Sequence, residues 1–314
     1  MYQLGGGVVL GWALGANDAA NVFGTAVASH MVRYRTAAVV TAAFVVAGAV
    51  IGGEGGLRTL GGLADQTARS AMIVSSLAGL TVIAMTALGL PVSASQATVG
   101  AIMGMGLAVA PRSVSWSALG KIAACWVGTP IGAAVAAAVL YPSLGWAMDR
   151  LPINIVTRSI LLKSALLAGG AYGAFALGAN NVANVTGAFY NTELAGAFAR
   201  PELALALIGG LAIASGALMF GRNVMLTVGR RLVQLGAFSA FIAVLAQAVT
   251  VHVYALVGVP VSTSQAIIGA VLGIGIAKSV RTINSGMLVR ILAGWVLTPT
   301  LAGLLSYLVG VALR

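Results

Sequence analysis

Two groups of polar residues, each present twice, could do chemistry in this 314-residue chain. In the first group, residues 15–21 read GANDAAN. Asp18 is the one acidic residue that lies within an apolar run, and an ionisable group inside a membrane is costly and therefore a functional candidate. Asn17 and Asn21 are four residues apart, so on a helix they share one face beside Asp18. Carboxylate and amide oxygens suit a hard cation such as Na⁺. The alternative is an interhelical hydrogen-bond cluster.

The same pattern recurs at residues 178–184, which read GANNVAN. Glycine and other small residues around both copies predict a break in each helix that would expose backbone carbonyl oxygens. The coupling-ion ligands predicted from the two copies are Asn17, Asp18, Asn180 and Asn181, with Na⁺ bound at Asp18 and Asn181.

The second group is a proline followed by hydroxyl residues, PVSASQ at 91–96 and PVSTSQ at 260–265. A proline after one apolar run and before another predicts an interrupted helix and a new helix N-terminus. Free N–H groups and a partial positive charge make such an N-terminus an anion site. The added hydroxyl and amide donors suit a tetrahedral oxyanion. The alternative is that Ser93 and Ser262 are only helix caps beside a kink. The predicted substrate-binding residues are Ser93, Ala94, Ser95, Gln96, Ser262, Thr263, Ser264 and Gln265.

Neither group contains a lysine or arginine. A bound anion would therefore be stabilised by helix dipoles, neutral donors and a co-bound cation, which favours cation coupling over an anion channel. The expected coupling ion is Na⁺ or H⁺, and no other cofactor is expected. An enzyme is disfavoured because the sequence shows no Ser/His/Asp set and no cluster of metal ligands. The single cysteine, Cys125, also excludes a multi-cysteine metal site.

The elements that position these groups must be membrane helices. The chain is 60% hydrophobic and 7% charged, whereas soluble domains have about 25% charged residues. Several apolar runs reach the roughly 20 residues that span a bilayer as helix, and open strands are excluded in lipid. We therefore predict an all-α polytopic protein, multi-pass in the cell membrane, with the lipid bilayer as its partner. The predicted segments are 4–28, 37–53, 71–88, 93–110, 119–141, 160–179, 182–191, 203–220, 235–257, 262–277 and 287–312.

The net charge of +11 is not a sign of nucleic-acid binding. Almost all of the basic residues lie between apolar runs, as in loops that follow the positive-inside rule. No nucleic-acid partner is expected.

The duplicated motifs indicate two repeats. Residues 13–26 match 176–189 at an offset of 163, and residues 89–108 match 258–277 at an offset of 169. We predict a first repeat at 1–141, a connecting loop at 142–158 and a second repeat at 159–314. Arg33 and Arg35 follow the first motif, whereas Glu193 and Glu202 follow its copy. This change of sign predicts inverted-topology repeats with broken or re-entrant helices, although loops 111–121 and 278–290 are both basic.

With these motifs, the chain resembles the inorganic phosphate transporter (PiT) family, whose members carry a GANDVANA-like and a PVS-type motif in each half. The resemblance implies cation-coupled symport of phosphate and commonly a homodimer. It also implies that Asn21 and Asn184 help to bind the substrate or the coupling ion. The chain departs from the family at Asn181, often aspartate, and at Gln96 and Gln265, often histidine. Sulfate permeases are similar to this family. Phosphate is the first expectation, because Asp18 could accept a phosphate proton, and sulfate is the second.

Overall fold

The structure, a computed structural model, describes residues 2–87, 92–232, 236–278 and 285–314. Pro91 lies outside the described residues. The described part is built from α-helices joined by short links. Side-chain caps mark several helix starts: Ser115 accepts from the N–H of Ala118, and Asn154 accepts from that of Thr157. The helices are α1 (Gly5–Ala28), α2 (Tyr34–Gly52), α3 (Glu54–Gly61), α4 (Ala68–Ala87), α5 (Ala94–Val109), α6 (Trp116–Asp149), α7 (Ile155–Thr186), α8 (Pro201–Leu232), α9 (Ala237–Leu256), α10 (Thr263–Ala277) and α11 (Ser285–Ala312).

The protein is a multi-pass membrane protein. Among the described residues, 7 helices are long and apolar enough to cross a membrane. Helices α5 and α10 have 16 and 15 residues, which is short of the about 20 residues needed to span. Helix α9 ends at Leu256 and α10 begins at Thr263, so the predicted interruption near 260–265 is confirmed. The interruption predicted near 91–96 lies partly outside the described residues, and α5 begins at Ala94.

The predicted breaks at the asparagine motifs are wrong. Helix α1 runs without interruption through residues 15–21, and α7 runs through 178–184. The segments expected at 160–179 and 182–191 are therefore mostly one helix. The asparagine side chains bond to groups on other residues, as described below, and do not compete for the hydrogen bonds of their own helix backbone.

The connection between the halves is shorter than the predicted loop at 142–158. Helix α6 continues to Asp149 and α7 begins at Ile155, which leaves residues 150–154 as the link. Pro142 lies inside α6, where the hydroxyl of the next residue, Ser143, donates to the carbonyl of Val139 at 2.7 Å. Membrane helices tolerate proline because nearby Ser and Thr side chains can satisfy backbone groups. Between the predicted segments 37–53 and 71–88, the chain forms helix α3.

Matching helices of the two halves run in opposite directions. Gly7, near the start of α1, lies against Val185 near the end of α7, while Phe23, near the end of α1, lies against Gly170. Helix α7 carries the second copy of the motif that α1 carries, so this antiparallel packing is the relation that an inverted repeat requires.

Helices of one half also pack against helices of the other half, and each such pair has an equivalent pair related by the repeat. A Cβ added at Gly15 of α1 would lie 1.7 Å from the Ile213 carbonyl oxygen of α8. At the matching Gly178 of α7, it would lie 2.0 Å from the Val45 carbonyl oxygen of α2. Small residues permit such backbone contact in membrane helices. Helix α1 thus packs on α8 as α7 packs on α2, and α5 packs on α11 as α10 packs on α6.

Candidate functional site

The two short helices α5 and α10 begin beside α1 and α7, and their first turns border one small polar cavity. The cavity leaves about 10 Å³ for the centre of a water-sized sphere, which is room for about one water molecule. Ten of the described residues line it: Asn17, Asp18, Val82, Val92, Ala94, Ser95, Asn181, Ser262, Thr263 and Ser264. Residues from both halves therefore share one site, and two of them, Asp18 and Thr263, are 245 positions apart in the chain.

The serines that precede α5 and α10 cap these helices. The Ser93 hydroxyl accepts from the N–H of Gln96 at 3.3 Å, and the Ser262 hydroxyl accepts from the N–H of Gln265 at 3.2 Å. These are N-cap contacts, which the sequence alternative anticipated. Ser262 also lines the cavity, whereas Ser93 does not. The caps fix the direction in which two positive helix ends point.

Asp18 lies at the centre of the site and is 5% exposed. Its Oδ2 accepts from the Thr263 hydroxyl at 2.9 Å and from the Asn181 amide at 2.9 Å. Its Oδ1 accepts from the Asn21 amide at 3.4 Å. Two ion pairs occur in the described part of the chain, Arg58–Glu54 and Arg158–Asp149, and neither includes Asp18. Neutral donors alone therefore stabilise this buried carboxylate in the described structure.

Asn181 does not present an oxygen to the Asp18 carboxylate. Its Oδ1 accepts from the amides of Asn180 at 2.9 Å and Asn184 at 3.1 Å, so its Nδ2 points to Asp18. The Na⁺ site predicted at Asp18 and Asn181 stays a prediction; in the described conformation the Asn181 amide N–H, and not its oxygen, faces Asp18. Thr263, Ser264 and Asn17, whose side chains carry oxygens, line the cavity together with Asp18. This donor set fits Na⁺.

Asn180 positions the backbone that leads into α10. Its Oδ1 accepts from the Val261 N–H and its Nδ2 donates to the Val261 carbonyl, both at 2.8 Å. That Asn180 is an ion ligand stays a prediction; in the described conformation its oxygen accepts from Val261. The Ser95 hydroxyl donates to the same carbonyl at 2.9 Å, and Asn184 donates to Ser95 at 2.9 Å. Val261 thus joins the start of α5 to α7.

The remaining predicted residues fall into two groups. Ala94, Ser95 and Ser264 line the cavity, and Asn21 reaches Ser264 through a 3.4 Å hydrogen bond. Gln96 and Gln265 are buried beside the site but do not line the cavity. The side-chain carbonyl oxygens of both glutamines, Oε1, have no hydrogen-bond partner among the described residues.

Three residues at the site were missed from the sequence. Val82 and Val92 form apolar walls of the cavity. The Thr98 hydroxyl donates to the Asn184 carbonyl at 3.4 Å. Val92 and Thr98 lie in or beside the second motif and could have been included on that ground, whereas nothing marks Val82 within its apolar helix.

We expect that replacing both caps, in the variant Ser93→Ala/Ser262→Ala, weakens anion binding about tenfold. Loss of an N-cap costs about 1 kcal/mol, and 1.4 kcal/mol corresponds to a factor of ten. Titration of the purified protein with labelled phosphate in detergent measures the change. Ser115→Ala, which removes the matching cap of α6 outside the cavity, should leave the affinity unchanged. Equal affinities for the double variant and the wild type would contradict a role for these helix ends.

Comparison with known proteins identifies the family to which this chain belongs. The family model described as the phosphate transporter family matches residues 14–162 and 154–306. A candidate phosphate permease of Methanocaldococcus jannaschii is 28% identical, over 94% of this chain and 92% of the relative. The sulfate permease of Bacillus subtilis is 30% identical, over 94% of this chain and 82% of the relative.

A solved structure has the same fold. The structure titled the sodium-dependent phosphate transporter superposes with a TM-score of 0.87 and covers 100% of this chain and 99% of its own. The two sequences are 22% identical, so the likeness concerns the fold.

Proposed function

Because the chain belongs to the phosphate transporter family, we propose that it is a secondary active transporter that carries inorganic phosphate across the cell membrane by cation-coupled symport. The main support is the junction of two helix N-termini, from different halves, around one buried carboxylate. Such paired half-helices are the usual binding-site architecture of secondary transporters.

The site suits a reversibly bound oxyanion. Ser264 offers a hydroxyl donor, the Thr263 and Ser95 hydroxyls become donors once they leave Asp18 and the Val261 carbonyl, and the starts of α5 and α10 add two positive dipole ends. Among the described residues, no lysine or arginine borders the cavity. An anion held by neutral donors and dipoles leaves more readily than one held by a fixed cation, which suits transport.

Asp18 is the group through which we expect the cation to act. A doubly charged anion next to a carboxylate would be repelled unless a cation or a proton lies between them. Na⁺ bound by Asp18 Oδ1 and Oδ2 with the Thr263 and Ser264 oxygens would remove this repulsion, and so would a proton on Asp18. Either ion would therefore be bound together with the anion, which is coupling.

Transport requires the site to open. The cavity has room for about one water molecule, and a tetrahedral oxyanion of five heavy atoms is larger. The described conformation is therefore a closed one, and the starts of α5 and α10 must separate for the anion to enter. The hydrogen bonds from Ser95 and Asn180 to Val261 hold these two starts together.

Sulfate is the second candidate, because a sulfate permease is 30% identical to this chain. The two anions share a tetrahedral shape, but phosphate at neutral pH carries an O–H that can donate to Asp18, whereas sulfate has none. A hydrogen bond to a charged group contributes about 1.5–3 kcal/mol. Homodimer formation, implied by the family resemblance, stays a prediction.

Uptake by proteoliposomes tests the proposal. We expect labelled phosphate to accumulate when an inward Na⁺ or H⁺ gradient is imposed, and a tenfold excess of unlabelled sulfate to reduce this uptake by less than half. Preferential uptake of labelled sulfate would make the protein a sulfate permease. Anion flux without any dependence on either gradient would make it a channel.

A further inference from the structure

Thr25 Oγ1 on α1 and Gln247 Oε1 on α9 are among the buried side-chain oxygens that have no hydrogen-bond partner among the described residues. The side chains are 5% and 2% exposed. An unsatisfied buried polar group costs about 1–3 kcal/mol. A membrane protein would lose nothing by having valine and leucine at these positions if neither group bound anything during its working cycle.

Both side chains lie one helical turn from the central site. Thr25 follows Asn21 by four residues, and Asn21 reaches both Asp18 and Ser264. Gln247 precedes Val251 by four residues, and Val251 is the second-half counterpart of Val82, which lines the cavity. Residues four apart lie above one another on a helix.

The two side chains lie on the same side of the site. Helix α9 runs parallel to α7, because Gly169 lies against Phe241 and Gly173 against Val244. Helix α1 runs antiparallel to α7, so it is also antiparallel to α9. One turn after Asn21 on α1 and one turn before Val251 on α9 therefore lead towards the same membrane face. Gly173 lies against Val22 as well as Val244, so the two helices are neighbours at this level.

The polar pair has no equivalent on the other side of the site. The counterparts of Thr25 and Gln247 in the opposite halves are Ala188 and Ala78. The first unpartnered buried oxygen in that direction on α4 belongs to Ser75, seven residues and two turns from Val82. The repeat symmetry of the site is thus broken by Thr25 and Gln247.

The membrane face beyond Thr25 and Gln247 is basic. Arg33 and Arg35 follow α1 directly, and Lys278 at the end of α10 donates to Ser239 in the first turn of α9 at 2.8 Å. The opposite face carries four acidic residues among its basic ones: Glu54, Asp65, Glu193 and Glu202. A basic mouth raises the local concentration of an anion.

We propose that Thr25 and Gln247 form a second, transient binding position for the oxyanion between the central site and the basic face. The Thr25 hydroxyl and the Gln247 amide donate to the anion as it passes between α1 and α9. This relay position takes the same class of ligand as the central site, a tetrahedral oxyanion, and it rests on the proposed transport function. Because it lies outside the central cavity, it affects the rate of passage more than the equilibrium affinity.

Gln247→Leu and Thr25→Val test this relay position, each removing the polar group with little change in volume. We expect each variant to lower the kcat of phosphate uptake by proteoliposomes about tenfold, while phosphate affinity measured by titration in detergent stays within twofold. The double variant should lose less than the product of the single losses, since both groups serve one step. Gln247→Asn, which keeps an amide, should retain more activity than Gln247→Leu.

Thr41→Val is the matched control. Thr41 on α2 is 1% exposed and its hydroxyl is also unpartnered among the described residues, but it belongs to no cavity-lining helix. We expect it to transport like the wild type. Wild-type uptake rates in both Gln247→Leu and Thr25→Val would overturn the relay position and leave the central site intact. Absence of any phosphate uptake by the wild type would instead refute the proposed function. If either Gln247→Leu or Thr25→Val does not fold, the uptake rate of the other variant decides whether the relay position exists.

Discussion

Asp18→Asn is expected to reduce gradient-driven phosphate uptake by about a hundredfold or more while the protein remains folded. The asparagine keeps the size of the side chain and an acceptor for Thr263 or Asn181. It removes the negative charge that would bind Na⁺ or a proton. Because no described cation pairs with Asp18, the substitution also removes a buried charge, and we expect the melting temperature to be unchanged or higher. Uptake in proteoliposomes and thermal unfolding in detergent measure the two effects.

Asp149→Asn provides the control for charge alone. Asp149 ends α6 at an exposed link and pairs with Arg158 at 3.0 Å. Surface pairs contribute about 0–1 kcal/mol, so uptake by this variant should equal that of the wild type. Full gradient-driven uptake by Asp18→Asn would remove the carboxylate from the coupling mechanism. A large fall in its melting temperature would show that Asp18 is a structural hydrogen-bond partner.

Asn180→Ala should abolish transport because the backbone that leads into α10 loses its hydrogen bonds to Asn180. The substitution leaves the Val261 N–H without its partner and removes one of the two donors to the Val261 carbonyl. Each unsatisfied buried group costs about 1–3 kcal/mol. We expect both a lower melting temperature and a loss of phosphate affinity of about a hundredfold, because the start of α10 is no longer held against α7. Thermal unfolding and phosphate titration of the same sample measure both.

Asn154→Ala controls for the loss of a single asparagine hydrogen bond. Asn154 caps α7 at the exposed link, where its Oδ1 accepts from the Thr157 N–H at 2.8 Å. The variant should lose about 1 kcal/mol of stability and keep its phosphate affinity. If Asn180→Ala also kept its affinity, Asn180 would not position the site. If affinity fell without loss of stability, Asn180 would be a direct ligand.

The sequence alone predicted the membrane class, the helix interruption before α10 and most of the residues that line the cavity. Apolar runs of spanning length predict lipid-embedded helices because backbone groups must bond within the segment. Proline followed by serine marks the starts of α5 and α10 because proline lacks an N–H and serine caps. Asp18 stands out because a carboxylate within a membrane helix is costly and is rarely kept without a function. These are local properties, which neighbouring residues determine.

The tertiary structure decided what each polar side chain does. The asparagine motifs suggested helix breaks, but α1 and α7 continue through them, and in α7 Asn180 and Asn184 bond across to Val261 and Ser95. Asn181 was expected to give its oxygen to a cation, yet two other amides occupy that oxygen. Hydrogen-bond partners lie as many as 245 positions apart in the chain. Which group a side chain reaches depends on how helices from both halves cross, and no local pattern of residues contains that information.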